Sequence, residues 1–417
     1  MPKTDPRLSE LLAISARARK YPFLERAALW EERLAMHVAD LDTLGRAPTE
    51  ADMLVLPPKA KLEVQAPGKT PQADNRTEEL AAASAREIAQ RVASKDVSVV
   101  EVAKAVLDRA QAHQHLNAFI TLRPERVLED AKALDAKIAK GEKLGTLAGV
   151  PVAVKDLMYV RGYPLTCGTR AMDGKEAQRD AAAVARLKEA GALIVGTANL
   201  HELAYGVTSA NPHFGEVQNP TAPDHVPGGS SGGSGATVAA GLAAIAVGTC
   251  TGGSIRIPAA CCGITGFKPT HEAVSREGCW ALADTLDHIG PLTRDVEDAA
   301  LAFEAMAGLP AGCISGKTVE RPRLIKPAPF FYDHLDAGIR ARVEAALKRL
   351  ESAGASLAQR SIESIEYALA AQFVTICTEA CQSNWELLTK RGAGIGPEPL
   401  FLLNHQPCAT APCEQPA

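Results

Sequence analysis

Two glycine- and serine-rich turns bracket an apolar segment near the middle of the chain. The first, GGSSGGSG, occupies residues 228–235, and the second, TGGS, occupies residues 251–254. Such stretches are typical of flexible linkers, but residues 236–247 between them are almost wholly apolar, and a solvated linker would not tolerate that run. Glycines beside buried elements usually allow close backbone approach or a positive φ. The pattern therefore indicates a site, with serine hydroxyls as its candidate reactive groups.

Three motifs carry a resemblance to a known family. They are the first Gly/Ser turn, the stretch GTCTGGSIRIPAACCGITGFKPT that starts at Gly248, and LAGVPVAVKD, which ends at Asp156. A further stretch, TLDHIGP, starts at Thr285 and approaches the family pattern SLDxxGP. With these motifs the sequence resembles the amidase signature family of serine amidohydrolases. Weaker similarity extends from about Ser84 to about Leu400.

The resemblance implies a nucleophile, a bridging group and a base. By motif, Ser254 is the nucleophile, Ser230 the bridging serine beside a cis peptide bond, and Lys155 the base. A serine hydroxyl attacks only when a neighbouring group removes its proton, and lysine does so only when it is neutral. Lys155 follows the apolar run 150–154, so we expect burial to lower its pKa. Ser230 would pass the proton between Lys155 and Ser254.

The second glycine turn is expected to bind the negative charge that develops on the substrate oxygen. Two residues without Cβ allow several backbone N–H groups to point at one place. Each preorganised donor of this kind typically contributes about 3 to 4 kcal/mol to transition-state stabilisation. The predicted oxyanion hole consists of Thr251, Gly252, Gly253 and Ser254.

Other residues are expected to support the site or to contact substrate. Asp287 is expected to orient a loop, and His201 is expected to be a core residue rather than a base. The family usually has aspartate at position 250, so Cys250 would leave Arg256 without an acidic partner. The predicted supporting residues are Ser231, Asp156, Arg256 and Cys250, and the predicted substrate-binding residues are Ala204, Tyr205 and Thr208.

Composition and periodicity favour an α/β enzyme. The 417 residues are 46% hydrophobic, which is enough for one large domain or two ordinary ones. A strand at 150–154, a helix at 182–190 and a strand at 192–196 alternate as in a parallel sheet. The resemblance implies the amidase signature fold, with a large mixed, mostly parallel sheet covered by helices on both faces.

The predicted domain organisation has three parts. Residues 1–75 form a helical N-terminal extension and linker, residues 76–402 the amidase signature domain, and residues 403–417 an irregular tail. A helical pattern starts near Thr77, and Ser98-x-x-Glu101 forms a capping box for the next helix. The family core normally continues beyond Leu400, so its C-terminal part is expected to be missing here, leaving a sheet edge or pocket wall exposed.

Several classes of partner find no support in the composition. The net charge is −4, with no basic stripe for direct nucleic-acid binding. The ten cysteines show no zinc-type spacing, so neither a metal nor a cofactor is predicted. The longest apolar run, 236–248, is too short to span a bilayer. We expect a cytoplasmic protein that binds a small amide substrate, as a homodimer or with a small helical partner subunit.

The expected activity is hydrolysis of a carboxamide C–N bond through a seryl acyl-enzyme, with release of ammonia or an amine. Two alternatives remain open at this point. The same motifs occur in the ammonia-generating A-type subunit of amidotransferases that form glutaminyl- or asparaginyl-tRNA. A catalytically impaired relative with a binding or regulatory role is also compatible with Cys250 and with the shortened core.

Overall fold

The computed structural model of the protein describes residues 75–328, 330–333 and 335–404. The predicted N-terminal extension, apart from Asn75, and the predicted tail after Asn404 lie outside these residues. The chain divides into two compact units. The larger unit is described over residues 75–316 and 376–404, and the smaller over 317–375 with its two gaps. The single domain predicted for residues 76–402 stays a prediction.

A six-stranded mixed sheet forms the centre of the larger unit, in the order β1-β3-β2-β4-β6-β5. β2 pairs in parallel with β3 and with β4, whereas the three remaining pairings are antiparallel. The mixed sheet is therefore confirmed, but in the described residues it is not mostly parallel, because only the pairings of β2 are parallel. The strands are β1 (Phe119–Leu122), β2 (Pro151–Lys155), β3 (Leu193–Ala198), β4 (Ile245–Cys250), β5 (Thr265–Gly266) and β6 (His288–Thr293).

The predicted coverage of both sheet faces is confirmed, and alternation along β2 explains it. Val152 and Val154 lie in a core cluster with residues of helices on one face, while Ala153 lies in a second cluster with residues of other helices. Successive side chains of a strand point to opposite faces, and a strand buried on both faces reads as a continuous apolar run. The same alternation places Lys155 on the Ala153 side, at the carboxyl end of β2.

Eight α-helices surround the sheet in the described residues before position 316. Those that contribute to the Val152 cluster include α2, α3, α5 and α8, and those that contribute to the Ala153 cluster are α6 and α7. Their bounds are α1 (Asn75–Ala82), α2 (Ala85–Ala93), α3 (Val99–Ala112), α4 (Pro124–Ala139), α5 (Ala182–Glu189), α6 (Gly232–Ala239), α7 (Arg256–Cys262) and α8 (Val296–Ala307).

The helical pattern that starts near Thr77 consists of two helices and not of one continuous helix. Ser84 separates α1 from α2, because its hydroxyl accepts from the Glu87 N–H while the Glu87 carboxylate accepts from the Ser84 N–H. This reciprocal arrangement is a capping box, which starts a new helix. The box predicted at Ser98 and Glu101 is confirmed and begins α3.

The smaller unit contains a strand–helix–strand motif. β7 (Arg323–Pro327) and β8 (Ser356–Arg360) pair in parallel, and α9 (Ala337–Ser352) connects them. The side chain of Asp336 accepts from the N–H groups of Gly338 and Ile339 at the start of α9. The sequence pattern predicts a helix at 339–352 and a strand at 355–361, and the observed bounds agree to within two residues at each end.

Three helices follow: α10 (Ala368–Ser383), α11 (Trp385–Arg391) and α12 (Pro397–Asn404). In the larger unit, the Trp280 indole N–H donates to the Asn384 side chain at 3.0 Å, so the segment after residue 376 packs on the loop before β6. α12 ends two residues beyond the predicted boundary at 402. None of the helices in the described ranges is both long and apolar enough to cross a membrane.

Candidate active site

Lys155 lies at the centre of a cluster of hydroxyl groups. Its Nζ is 2.7 Å from Ser230 Oγ, 2.9 Å from Ser231 Oγ and 2.8 Å from Thr249 Oγ1. The three hydroxyls come from the first Gly/Ser turn and from β4, which is parallel to and adjacent to β2. The pairing of β2 with β4 therefore brings together residues that lie 94 positions apart in the sequence.

Burial of this cluster determines the protonation of Lys155. Lys155, Ser230 and Ser231 are fully buried, and Thr249 is 4% exposed. Desolvation lowers the pKa of Lys155 from its ordinary value of 10.5 to about 7, because burial disfavours the charged form. At neutral pH a large fraction of Lys155 is therefore neutral, which is the form that takes up a proton.

The backbone around Ser230 is held by Ser209, a residue that the sequence analysis did not identify. The Gly229–Ser230 peptide bond is cis, which confirms the expectation for this position. The Ser209 hydroxyl donates to the Gly228 carbonyl at 2.9 Å and accepts from the Gly232 N–H at 3.0 Å. A Cβ at Gly232 would lie 2.3 Å from the Ser209 Oγ, so a larger residue there would have to displace the Ser209 side chain.

Ser254 joins the cluster through its backbone. It lies in the turn between β4 and α7, is 7% exposed, and its carbonyl accepts from the Ser231 N–H at 3.3 Å. Contact between Lys155 and Ser230 within hydrogen-bond distance is as predicted. In the described ranges the hydroxyls of Ser230 and Ser254 make no hydrogen bond to each other, so direct proton transfer between them stays a prediction.

The turn from Thr251 to Ser254 presents unused donors. Within the described residues, none of its four backbone N–H groups donates to a protein acceptor. Gly253 is buried, and a Cβ there would lie 2.6 Å from the Ile257 side chain. An oxyanion hole requires unused donors that converge on one position, so this role of the turn stays a prediction.

The carboxylate of Asp287 holds this turn in place, in the loop-orienting role expected from the sequence. The Thr251 hydroxyl donates to Asp287 Oδ1 at 2.6 Å, while Oδ2 accepts from the N–H groups of Leu282 and Ala283 at 2.8 and 3.2 Å. Burial raises the pKa of Asp287, and these hydrogen bonds oppose the rise. The carboxylate therefore ties the turn to the loop before β6.

Replacement of Asp287 by asparagine should loosen the predicted oxyanion hole without removing it. The amide keeps the size of the side chain but has one acceptor oxygen in place of two, so either Thr251 or the Leu282 backbone loses its partner. We expect kcat to fall about tenfold, because partial misplacement of one donor costs less than the 10²- to 10³-fold of its removal. Steady-state kinetics with KM measured separately will check this, and an equal loss in a remote Asp336→Asn variant would contradict it.

Cys250 and Arg256 lie close together, at the end of β4 and the start of α7. The Arg256 guanidinium lies 3.7 Å from Cys250 Sγ, and no carboxylate within the described residues forms an ion pair with it.

Asp156 is fully buried and its Oδ2 accepts from the Thr166 hydroxyl and N–H, while its Oδ1 has no hydrogen-bond partner. Burial raises the pKa of Asp156 to about 7.

Ala204 and Thr208, two of the three predicted substrate-binding residues, contact the buried His201. His201 Nδ1 accepts from the Ser209 N–H at 3.2 Å, and its Nε2 lies 3.2 Å from Glu398 Oε2. The Thr208 hydroxyl contacts the same ring. Tyr205 is buried and its hydroxyl donates to Cys377 Sγ at 3.2 Å. Ala204, also buried, ends the short helix Glu202–Ala204, and a substrate-binding role stays a prediction for all three.

A cavity of about 460 Å³ borders the cluster at Thr249. Thr249, Asp287 and His288 are among its lining residues, and Ser254 is not. The sequence did not point to Thr249, because its contact with Lys155 arises only when β4 pairs with β2. The described residues contain no group of three His, Cys, Asp or Glu side chains with the geometry of a metal site.

Comparison with known proteins agrees with this geometry. The family model described as Amidase matches residues 101–395. The chain belongs to the amidase signature family. The matched segment contains the lysine motif, both Gly/Ser turns and the Asp287 loop, so every residue of the hydroxyl cluster falls inside it.

The chain is also similar to curated proteins. The A-type subunit of the glutamyl-tRNA(Gln) amidotransferase from Carboxydothermus hydrogenoformans is 43% identical over 311 residues, which is 71% of this chain and 64% of that protein. The corresponding protein from Gloeobacter violaceus, which has the same name, is 50% identical over 223 residues, 53% of this chain and 46% of the relative. The chain thus spans less than two thirds of the length of these relatives.

Solved structures with the same fold include amidases. One described as an amidase superposes with a TM-score of 0.73 at 34% identity, over 77% of this chain and 73% of the other. A peptide amidase from Stenotrophomonas maltophilia gives a TM-score of 0.67 at 28% identity, over 75% and 68% of the two chains. A bacterial aryl acylamidase gives 0.69 at 29% identity, over 80% and 73%.

Proposed function

We propose that this protein hydrolyses the C–N bond of a carboxamide through a seryl acyl-enzyme and releases ammonia or an amine. The observation that carries the proposal is the fully buried Lys155, with a pKa near neutrality, in contact with Ser230 beside the Ser254 turn. Membership of the amidase signature family supports the same chemistry. Neither a metal nor a cofactor has a role in this proposal.

Each group has a defined part in the proposed reaction. Neutral Lys155 takes the proton of Ser230, Ser230 takes the proton of Ser254, and Ser254 Oγ attacks the carbonyl carbon. The oxygen becomes negative as the tetrahedral intermediate forms, and the N–H groups of the turn hold it. The proton returns along the same path to the leaving nitrogen, the C–N bond breaks, and water later hydrolyses the acyl ester by the same steps.

A panel of amides tests the proposal. Ammonia or amine release is measured with glutamine, asparagine, an aliphatic primary carboxamide and an anilide, and an acyl group is trapped from an activated ester by rapid acid quench. We expect an added acyl mass on the peptide that contains Ser254. Ser254→Ala should lose both signals, and Ser352→Ala, at the exposed end of α9, should keep them. Release by Ser254→Ala at the unaltered rate would refute the proposal.

A second candidate is the ammonia-generating subunit of a tRNA-dependent amidotransferase. The specific observation in its favour is the 43% identity to the A-type subunit of a glutamyl-tRNA(Gln) amidotransferase. Copurification with two further subunits, and glutamine hydrolysis that rises on addition of glutamyl-tRNA, would support this candidate. A chain that acts alone and prefers an aliphatic carboxamide or an anilide would support the hydrolase. Absence of acylation by every substrate would leave the catalytically impaired relative.

The predicted assembly and location also remain proposals. We propose a cytoplasmic protein that acts as a homodimer or with a small helical partner subunit, and that contacts no nucleic acid directly. Light scattering of the purified full chain distinguishes a dimer from a monomer that requires a partner. A stable, fully active monomer would refute both forms of the assembly.

A further inference from the structure

His201 joins two parts of the larger unit, the loop around Ser230 and the segment that leads into α12. Its side chain is 1% exposed, and its backbone N–H donates to the Ser230 carbonyl at 3.0 Å. Its imidazole has a partner at each nitrogen, Ser209 at Nδ1 and Glu398 at Nε2. The proposed reaction moves no proton through this ring, so its burial between two partners requires another explanation.

The partner at Nδ1 fixes the position of the ring proton. A backbone N–H can only donate, so the Ser209 N–H, at 3.2 Å, requires Nδ1 to accept. A protonated imidazole donates at both nitrogens, whereas a neutral one donates at one nitrogen and accepts at the other. The proton is therefore on Nε2, where it faces the Glu398 carboxylate at 3.2 Å. The hydrogen bond at one ring nitrogen thus determines the state of the other.

Ser209 connects the imidazole to the backbone around Ser230. Its hydroxyl donates to the Gly228 carbonyl at 2.9 Å and accepts from the Gly232 N–H at 3.0 Å, so it joins both sides of the Ser230 turn. Nδ1 of His201 holds the backbone of Ser209, and the hydroxyl of Ser209 holds the turn. Loss of Nδ1 would leave the Ser209 N–H, in a fully buried residue, without its acceptor, which is costly.

The residue next to His201 determines where Glu398 lies. Glu202 is fully buried, and each of its carboxylate oxygens lies 3.0 Å from the Gly396 backbone N. The same carboxylate contacts His213 Nε2 at 2.9 Å. A Cβ at Gly396 would lie 2.4 Å from Glu202 Oε2, so the chain approaches this carboxylate closely. The contact brings Glu398, two residues later, to His201, although the Glu398 side chain is 60% exposed.

We propose that His201 is a positioning residue for Ser230 and that Glu398, in the first turn of α12, orients its imidazole. Nδ1 holds Ser209, Ser209 holds the turn, and the carboxylate at Nε2 keeps the ring in the one tautomer that can do so. This inference rests on the proposed function, because Ser230 is the group that passes the proton in that reaction. His201 itself exchanges no proton with Ser230 in this role.

Two substitutions separate the two ring nitrogens. In His201→Asn the side-chain oxygen takes the place of Nδ1 and accepts from Ser209. In His201→Gln the amide nitrogen takes the place of Nε2, and no acceptor remains at Nδ1. We expect kcat to fall about 10²-fold in His201→Gln, the cost of a misplacement near 1 Å, and less than about fivefold in His201→Asn, with KM little changed in both. A role limited to filling space predicts the reverse order, because asparagine is the smaller side chain.

Two measurements on the full chain do not depend on turnover. NMR of ¹⁵N-labelled histidine reports the tautomer of His201, with its signal assigned by its absence from His201→Asn, and we expect the proton on Nε2. Hydrogen exchange, followed by mass spectrometry, reports the peptides that contain the N–H groups of Ser209 and Gly232. Exchange there should be about tenfold faster in His201→Gln and unaltered in His201→Asn, because local opening requires loss of the Nδ1 acceptor.

Glu398→Ala tests the same role from an exposed position, where the substitution leaves no cavity in the core. We expect His201 then to divide between both tautomers and kcat to fall about threefold, because the ring loses the partner that orients it. Glu386→Ala is the matched control. Glu386 is also an acid in the first turn of a helix, α11, and it pairs with the exposed Lys390, so this variant should keep the kcat of the unaltered protein.

The outcomes separate this inference from the proposed function. A proton on Nδ1 in the unaltered protein, equal exchange in the two His201 variants, or a larger loss of kcat in His201→Asn than in His201→Gln would overturn the inference. If the tautomer and the exchange rates are as expected but no form hydrolyses any amide, His201 positions the turn and the proposed function fails.

Discussion

Replacement of Lys155 by methionine should lower kcat by about 10⁴-fold while the protein stays folded. General-base catalysis contributes up to about this factor, and members of a catalytic triad act as a unit. Methionine is nearly isosteric with the lysine stem and has no charge to desolvate, so the buried site tolerates it. Single-turnover acylation by an activated ester measures the effect on the chemical step. The exposed Lys390→Met, in α11, serves as the matched control and should keep full activity.

The pH dependence of the unaltered protein follows from the same lysine. Its pKa of about 7 means that neutral Lys155 predominates above pH 7 and declines tenfold for each pH unit below it. A lysine with an ordinary pKa would be neutral in roughly one molecule in 2,500 at pH 7. We therefore expect activity to be lost as the pH falls through 7. A flat profile from pH 5 to 9 would contradict a neutral-lysine base.

Asp156 provides the necessary control for that profile, because burial also brings its pKa to about 7. Asp156→Asn removes this titration and keeps an oxygen for the Thr166 donors. If Lys155 is the base, the acid limb persists near pH 7 in Asp156→Asn and disappears in Lys155→Met, whose residual rate should be independent of pH. Loss of the limb in Asp156→Asn alone would assign it to the carboxyl group instead.

The motifs predicted the residues that carry out the chemistry better than the residues that hold them in position. Lys155, Ser230 and the glycine turn could be located from the sequence because each lies in a contiguous motif with a mechanism attached. Thr249 and Ser209 could not, because their contacts arise only when β4 pairs with β2 and when the loop after β3 folds over Ser230. Such contacts join residues that are distant in sequence, so local periodicity does not predict them.

The fold shows the same division between local and long-range information. The strand at 150–154 and the capping box at Ser98 were predicted because apolar runs and side-chain caps are local signals. The break at Ser84 was missed, although Ser84 and Glu87 have the same spacing as Ser98 and Glu101. The antiparallel position of β6 was also missed, because its register depends on pairing with β4 rather than on its own sequence.

Replacement of Gly233 by alanine should destabilise the larger unit by about 3 kcal/mol, near the upper end of the usual cost of overpacking. A Cβ at Gly233 would lie 2.2 Å from the Asn199 carbonyl oxygen and 2.6 Å from that of Ala118. Both contacts are with backbone atoms, which cannot move away by a change of side-chain rotamer. In an exposed helix, glycine to alanine would instead be stabilising by roughly 0.5 to 1 kcal/mol.

Gly392→Ala is the matched control, because no atom lies within 4 Å of its Cβ position and its backbone is right-handed helical, with φ of −52°. We expect its unfolding midpoint in urea to equal or exceed that of the unaltered protein, whereas Gly233→Ala should unfold at a clearly lower concentration. Gly233 lies in the first turn of α6, two residues after Ser231, so the same clash should displace the hydroxyls of Ser230 and Ser231 from Lys155. Gly233→Ala should therefore also lose activity under conditions in which it is still folded. Equal midpoints for the two variants would show that the close approach of α6 to Asn199 does not constrain the site.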